Sequence, residues 1–173
     1  ETCRAVGELL SIKSEQVLPF STGVILENLP VDKIKSGLPE ALKNLAPNHW
    51  LDAAEAIMTT DIVPKVASKK IKIQDKEISI SGISKGSGMI HPNMATMLSF
   101  IATDASINQV LLDQMLKEVT AQSFNCITVD GDTSTNDSFI LISTGQSGHT
   151  EINQEGKDYE VADGDELHFR FNT

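Results

Sequence analysis

The chain of 173 residues is long enough for one domain with a real core and too short to expect three. Apolar residues make up 40% of it, as in ordinary globular proteins, and no apolar run approaches the roughly 18 residues a membrane helix needs. Its net charge of −10 comes wholly from residues 104–173, which hold 13 acidic and 3 basic side chains, a balance that argues against a nonspecific nucleic-acid surface.

In chain order, Thr2 is placed to cap a short helix that turns Cys3, Val6, Leu9 and Leu10 inward. Val17-Leu18-Pro19-Phe20 reads as a strand entering the polar turn Ser21-Thr22-Gly23. Residues 30–46 read as a helix with Ile34, Leu38, Ala41, Leu42 and Leu45 on one face and a weak point at Pro39. A second short helix covers residues 50–57. Residues 70–73 and 77–80 alternate polar and apolar side chains about a polar turn, a hairpin signal. Residues 82–92 are rich in glycine and read as loop. Residues 97–103 suit a buried strand, and Ser106 is placed to cap an amphipathic helix over residues 107–122, with Val110, Leu111, Met115 and Val119 at helical spacing. Residues 139–143 suit another buried strand. The polar stretch 145–155 suits a linker or exposed loop, and two short strands about Ala162-Asp163-Gly164-Asp165 follow. Cys3 and Cys126 read as buried free thiols of a reducing compartment. With no secretory signal at the start, this favours the cytoplasm.

The chemistry concentrates where the glycine-rich loop runs into the apolar strand, at Ala95-Thr96. A hydroxyl beside a strained peptide bond can attack the preceding carbonyl. Hydrolysis of the ester then frees an N-terminal threonine, which holds a nucleophile and its own general base, the α-amine, on one residue. That amine has an ordinary pKa of about 7.7–8.0, so much of it is neutral near pH 7.5. By itself the junction reads more readily as a structural turn, since such turns are common.

Residues 85–98, Lys-Gly-Ser-Gly-Met-Ile-His-Pro-Asn-Met-Ala-Thr-Met-Leu, resemble the cleavage motif of the ornithine acetyltransferases, or bifunctional glutamate N-acetyltransferases. Three more segments match that family in order: Pro19-Phe20-Ser21-Thr22-Gly23-Val24-Ile25, Met58-Thr59-Thr60-Asp61 with Val63-Pro64-Lys65, and Ser123-Phe124-Asn125 with residues 127–137. The resemblance spans residues 1 to about 144 and implies a layered αββα-type sandwich, incomplete in this chain. It makes Ala95–Thr96 the bond that is cut and Thr96 the nucleophile. Thr22 and Gly23 match the oxyanion pair, and Thr59, Lys85 and Thr96 the substrate-binding positions.

The implied reaction moves the acetyl group of N-acetylornithine to glutamate through an acetyl-threonine ester, a step of arginine biosynthesis. It needs no cofactor, and some members also take acetyl-CoA as a substrate. The family further implies paired α and β chains that assemble further, giving residues 1–95 before the cut, 96–144 opening the β chain, and an acidic tail 145–173. No metal, nucleic acid or membrane is implied; the run from Asp130 to Asp137 lacks the spacing and closing Glu of an EF-hand and reads as a polar turn near the site. His91 reads as a loop residue, since the α-amine makes a further base unnecessary.

Leu26 stands where the family carries glycine. Complete members are more than twice as long, and the last 19 or so residues resemble the end of the small TGS domain of Obg-like ATPases, so a truncated or chimeric chain is expected. The alternative reading is an inactive fragment or fusion acting as a binding module.

Overall fold

A computed structural model describes residues 1–153 except residues 25, 74, 92–96 and 135. The expectations placed on Ala95 and Thr96, and on the strands after residue 158, lie outside the described residues. Among the described residues, one four-stranded sheet and four α-helices make the fold mixed α/β, in agreement with the expected class and with an incomplete layered sandwich. No helix among the described residues is long and apolar enough to cross a membrane. The chain divides into two compact units, residues 1–49 and residues 50 onward, each taken by itself.

In the first unit, α1 (Thr2–Leu10) packs against α2 (Val31–Lys43) and a single 3-10 turn, Ser14–Gln16. Glu1 precedes α1 as its cap residue and Thr2 lies inside the helix, so the expected Thr2 cap is not formed. Leu9 and Leu10 are exposed rather than inward, and the buried residue of α1 is Gly7. Helix α2 runs through Pro39 without ending there, at the cost of the one bond its missing N–H would have given. The expected strand at residues 17–20 is absent: these residues are irregular and Leu18 is exposed. Pro19 has no N–H to give a ladder.

In the second unit, α3 (Trp50–Ala56) leads into β1 (Lys65–Ile73) and β2 (Lys76–Lys85), then β3 (Leu98–Thr103), α4 (Gln109–Gln122) and β4 (Ser138–Ser143). The strand order is β1-β2-β3-β4, with β1–β2 and β2–β3 antiparallel and β3–β4 parallel. A parallel pair needs a long crossover, which α4 supplies. Burial alternates residue by residue along β1, whose lysines Lys65, Lys69, Lys70 and Lys72 line the edge strand, the usual guard against stray pairing. Ile78, Ile83, Leu98, Leu112 and Phe124 are buried, and the Phe124 and Phe139 rings meet edge to face at 4.7 Å.

Three expectations are corrected here. Residues 82–85 are not loop but the end of β2. Gly82 faces Ile101 across the ladder, and a Cβ on it would meet Ile101 Cγ1 at 3.0 Å and the Phe100 carbonyl at 3.3 Å, so the glycine serves close strand approach. Ser106 does not cap α4. Ile107 bridges to Ile152, and the Asn108 N–H donates to the Ile152 carbonyl at 2.8 Å, which keeps both residues extended. The helix therefore starts later, with the Asn108 side chain accepting from the Val110 N–H at 2.9 Å. Cys126 is exposed, not buried, and Cys3 half-buried.

Candidate active site

At its C-terminal end, β2 delivers Lys85 to the head of a cleft of about 300 Å³ that Thr59, Thr60, Ser87, Asp130 and Asp132 also line. Lys85 is 3% exposed, and its Nζ lies 3.4 Å from Thr59 Oγ1. No carboxylate stands within ion-pair distance of it among the described residues. A buried ammonium so placed is solvated incompletely and favours an anionic ligand.

The frame around Lys85 is held by Asp61. Its buried carboxylate accepts from Lys65 Nζ at 2.5 Å, from the Gly86 N–H at 2.8 Å and from the Thr59 N–H at 3.4 Å. One side chain thus ties the segment carrying Thr59 to the end of β2. Burial pushes the Asp61 carboxyl upward, but the Lys65 hydrogen bond, the Gly86 N–H, the Lys65 charge and the Thr59 N–H together outweigh it and hold the group below the ordinary aspartate value. The Thr60 and Ser87 hydroxyls, 2.6 Å apart, add a second tie across the same gap.

Beyond Gly86 the chain is irregular, and Asp130 fixes it. Its carboxylate accepts from the Met89 N–H at 2.6 Å and the Ile90 N–H at 3.0 Å. The Met89 bond does most to keep this carboxyl below its ordinary value; slight burial opposes it, and the Ile90 and Asp132 N–H groups reinforce it. Met89 has φ 55, a left-handed conformation that such anchoring helps to hold.

The chain re-enters the sheet at β3. The Met97 N–H donates to Asp137 Oδ1 at 2.8 Å, and the Met97 carbonyl accepts from the Ser138 N–H at 3.1 Å. Lys85 pairs with Leu98, and Leu98 with Ser138, so the end of β2 and the starts of β3 and β4 lie side by side. A cavity of about 40 Å³ beside Asp137 is lined by His91, Met97, Ser99, Phe124 and Asn125 among others. Burial pushes the Asp137 carboxyl above its ordinary value, against the Met97 N–H, the Ser134 hydroxyl and the Lys85 charge.

The structure therefore brings Thr59 and Lys85 together, with Asp130 of the polar turn on the same cleft. Thr22, half-buried, and Gly23, exposed, stand in the first unit on the connection before α2. His91 is exposed and lines the small cavity. Sequence reasoning assigned no role to Asp61 or Lys65 and read Asp137 only as part of a polar turn near the site, although all three fall inside the matched segments; for the two aspartates the signal available was a carboxylate in an otherwise irregular stretch rich in backbone donors.

Residues 1–165 match the ArgJ family. The chain belongs to that family. The match runs beyond residue 144, where the motif-based resemblance ends, and takes in part of the acidic tail. Over 151 residues the chain is 60% identical to the arginine biosynthesis bifunctional protein ArgJ of Colwellia psychrerythraea, which covers 87% of this chain and 36% of that protein. The chain thus spans about a third of the length of this ArgJ relative. Among solved structures, the PH0078 protein from Pyrococcus horikoshii OT3 is 18% identical, with 46% of this chain and 27% of that one covered and a TM-score of 0.33, a likeness too small to bear on fold or function.

Proposed function

We propose that this chain carries the nucleophile segment of an ornithine acetyltransferase, which cuts itself between Ala95 and Thr96 and then moves an acetyl group from N-acetylornithine to glutamate. The observation that supports it most is Lys85: a buried ammonium beside a hydroxyl, without a carboxylate partner among the described residues, at the head of an open cleft. An amino-acid substrate brings the missing carboxylate. Asp132 on the same cleft suits the substrate's ammonium end. Membership of the ArgJ family and the 60% identical relative agree with this reading.

The reaction is ping-pong. The free α-amine of Thr96 takes the hydroxyl proton as Oγ attacks the acetyl carbonyl, and N–H and O–H groups at Thr22 and Gly23 stabilise the oxyanion. The intermediate collapses to the acetyl-threonine ester, and ornithine leaves with the proton. The amine of glutamate then attacks the ester and regenerates Thr96. The acetyl group comes from a substrate, so no cofactor takes part; acetyl-CoA is an alternative donor. The catalytic species is a pair of chains, residues 1–95 and the piece starting at Thr96, acting in the cytoplasm and assembling further. A radiolabelled acetyl-transfer assay with N-acetylornithine and glutamate tests the proposal. Transfer that is abolished by Thr96→Ala supports it. A folded chain that transfers nothing supports the alternative, an inactive fragment or fusion.

A further inference from the structure

The cleft at Lys85 is polar almost throughout, and Met89 is the exception. Of the described residues that line it, Met89 alone has a hydrophobic side chain; the others are glycines or carry hydroxyl, carboxylate or ammonium groups. Met89 has φ 55, a conformation in which a Cβ crowds the following carbonyl and glycine is at ease. Residues 128–130 clamp it there. Asp130 accepts the Met89 and Ile90 N–H groups, and the Ile90 carbonyl accepts from the Val129 N–H at 2.9 Å and the Thr128 hydroxyl at 3.3 Å. All four bonds reach backbone atoms of residues 89 and 90, so they would hold a glycine at 89 equally well. Ile90 is buried, whereas Met89 is 42% exposed, so the fold's own packing uses only part of its side chain. A long side chain in a backbone form that disfavours one, on the wall of a cleft, points to a use in binding.

We propose that Met89 is a specificity-determining residue of this cleft, its thioether chain forming the apolar wall against which the aliphatic side chain of an N-acetylated amino acid lies. This rests on the reading of Lys85 as the holder of the substrate's carboxylate. With that carboxylate at Lys85, the ligand's aliphatic chain lies in the same cleft, where Met89 is the one side chain among the described residues suited to take methylene groups out of water. An unbranched, polarisable thioether adapts its shape to such a chain. The wall does no chemistry. It favours ligands with an extended aliphatic side chain over those without one, and a ligand lacking a side chain gains nothing from it.

The test is calorimetric titration of the purified chain, as wild type, Met89→Ala and Met89→Gly, with N-acetylornithine, N-acetylnorvaline and N-acetylglycine. Norvaline keeps the aliphatic chain of ornithine without its ammonium, and glycine has neither. Met89→Ala removes the thioether chain and keeps the left-handed backbone under strain; Met89→Gly relieves the strain as well. The expected result is affinity for N-acetylornithine and N-acetylnorvaline about 4- to 15-fold lower in both variants, the effect of uncovering one or two methylene groups, with N-acetylglycine unchanged. Equal losses for all three ligands make Met89 a structural residue and overturn the proposal. A loss in Met89→Gly alone overturns it too, because loop stiffness and not the side chain is then at work. Full affinity in both variants overturns it and leaves the reading of Lys85 standing, whereas a wild-type chain that binds neither N-acetylornithine nor N-acetylnorvaline overturns that reading and this proposal with it. Where N-acetylglycine binds too weakly to titrate, urea unfolding decides: weaker N-acetylornithine binding with an unchanged or raised midpoint in Met89→Gly supports the proposal, and a lowered midpoint overturns it.

Discussion

Lys85 Nζ and Thr59 Oγ1 stand 3.4 Å apart, although 26 residues separate them in the chain. The contact exists because Asp61 grips the Gly86 N–H and the Thr59 N–H at once, so the buried ammonium and the exposed hydroxyl meet at the head of the cleft. A buried cation left open to one side is poised for a ligand's carboxylate.

Lys85→Met keeps the length of the side chain and removes its charge. In the acetyl-transfer assay it is expected to raise KM for N-acetylornithine by about 10- to 100-fold, the loss of a charge-assisted hydrogen bond worth about 1.5–3 kcal/mol. Urea unfolding is expected to be unchanged or shifted to a higher midpoint, because a buried unpaired charge is removed. A lower midpoint with unaltered KM would make Lys85 a structural residue.

Asp61→Ala leaves Lys65 without its partner and frees the Gly86 and Thr59 N–H groups. The Asp61 side chain is 1% exposed and that of Lys65 14%, so the pair belongs to the buried class, where removing one partner costs about 3–5 kcal/mol. Thermal or urea unfolding checks it; a loss under about 1 kcal/mol would show the pair to behave like a surface one.

The two aspartates give opposite pH signatures. Asp61 is depressed by folding, so its contribution is present above the ordinary aspartate value and is lost as pH falls through the folded one. Asp137 is raised, so its protonated form favours the fold, and stability is lost as pH rises through the folded value. Stability against pH in the acid range is therefore expected to flatten in Asp61→Asn and to steepen upward in Asp137→Asn. Identical curves for the two variants would contradict the assignment.

Leu26 is fully exposed and has φ 70. Left-handed backbone costs an L-residue about 1–2 kcal/mol, and glycine's extra chain entropy takes back part of that gain. Leu26→Gly is expected to stabilise the first unit by about 0.5–1 kcal/mol in urea unfolding, which also explains glycine as the family's residue there. A destabilised variant would mean that the leucine is covered in solution.

Local patterns were readable where one strand or helix faces one environment. The alternation about residues 70–80 marks the hairpin, and the run at residues 97–103 marks β3, which starts one residue later, at Leu98. Thr59 and Lys85 were singled out through their motifs, and the structure brings their side chains to 3.4 Å. What escaped depends on distant partners. Gly82 reads as the start of a loop until Ile101 is set against it. Asn108 becomes the cap only because residue 152 holds it extended. Asp137 holds Met97 across 40 residues, a pairing set by the β3–β4 register and by no spacing along the chain.

The most direct measurement is the intact mass of the purified chain before and after incubation with N-acetylornithine. The account predicts two pieces, residues 1–95 and 96–173, the second gaining the mass of one acetyl group. A single uncut chain of 173 residues, unchanged by the substrate, would contradict it.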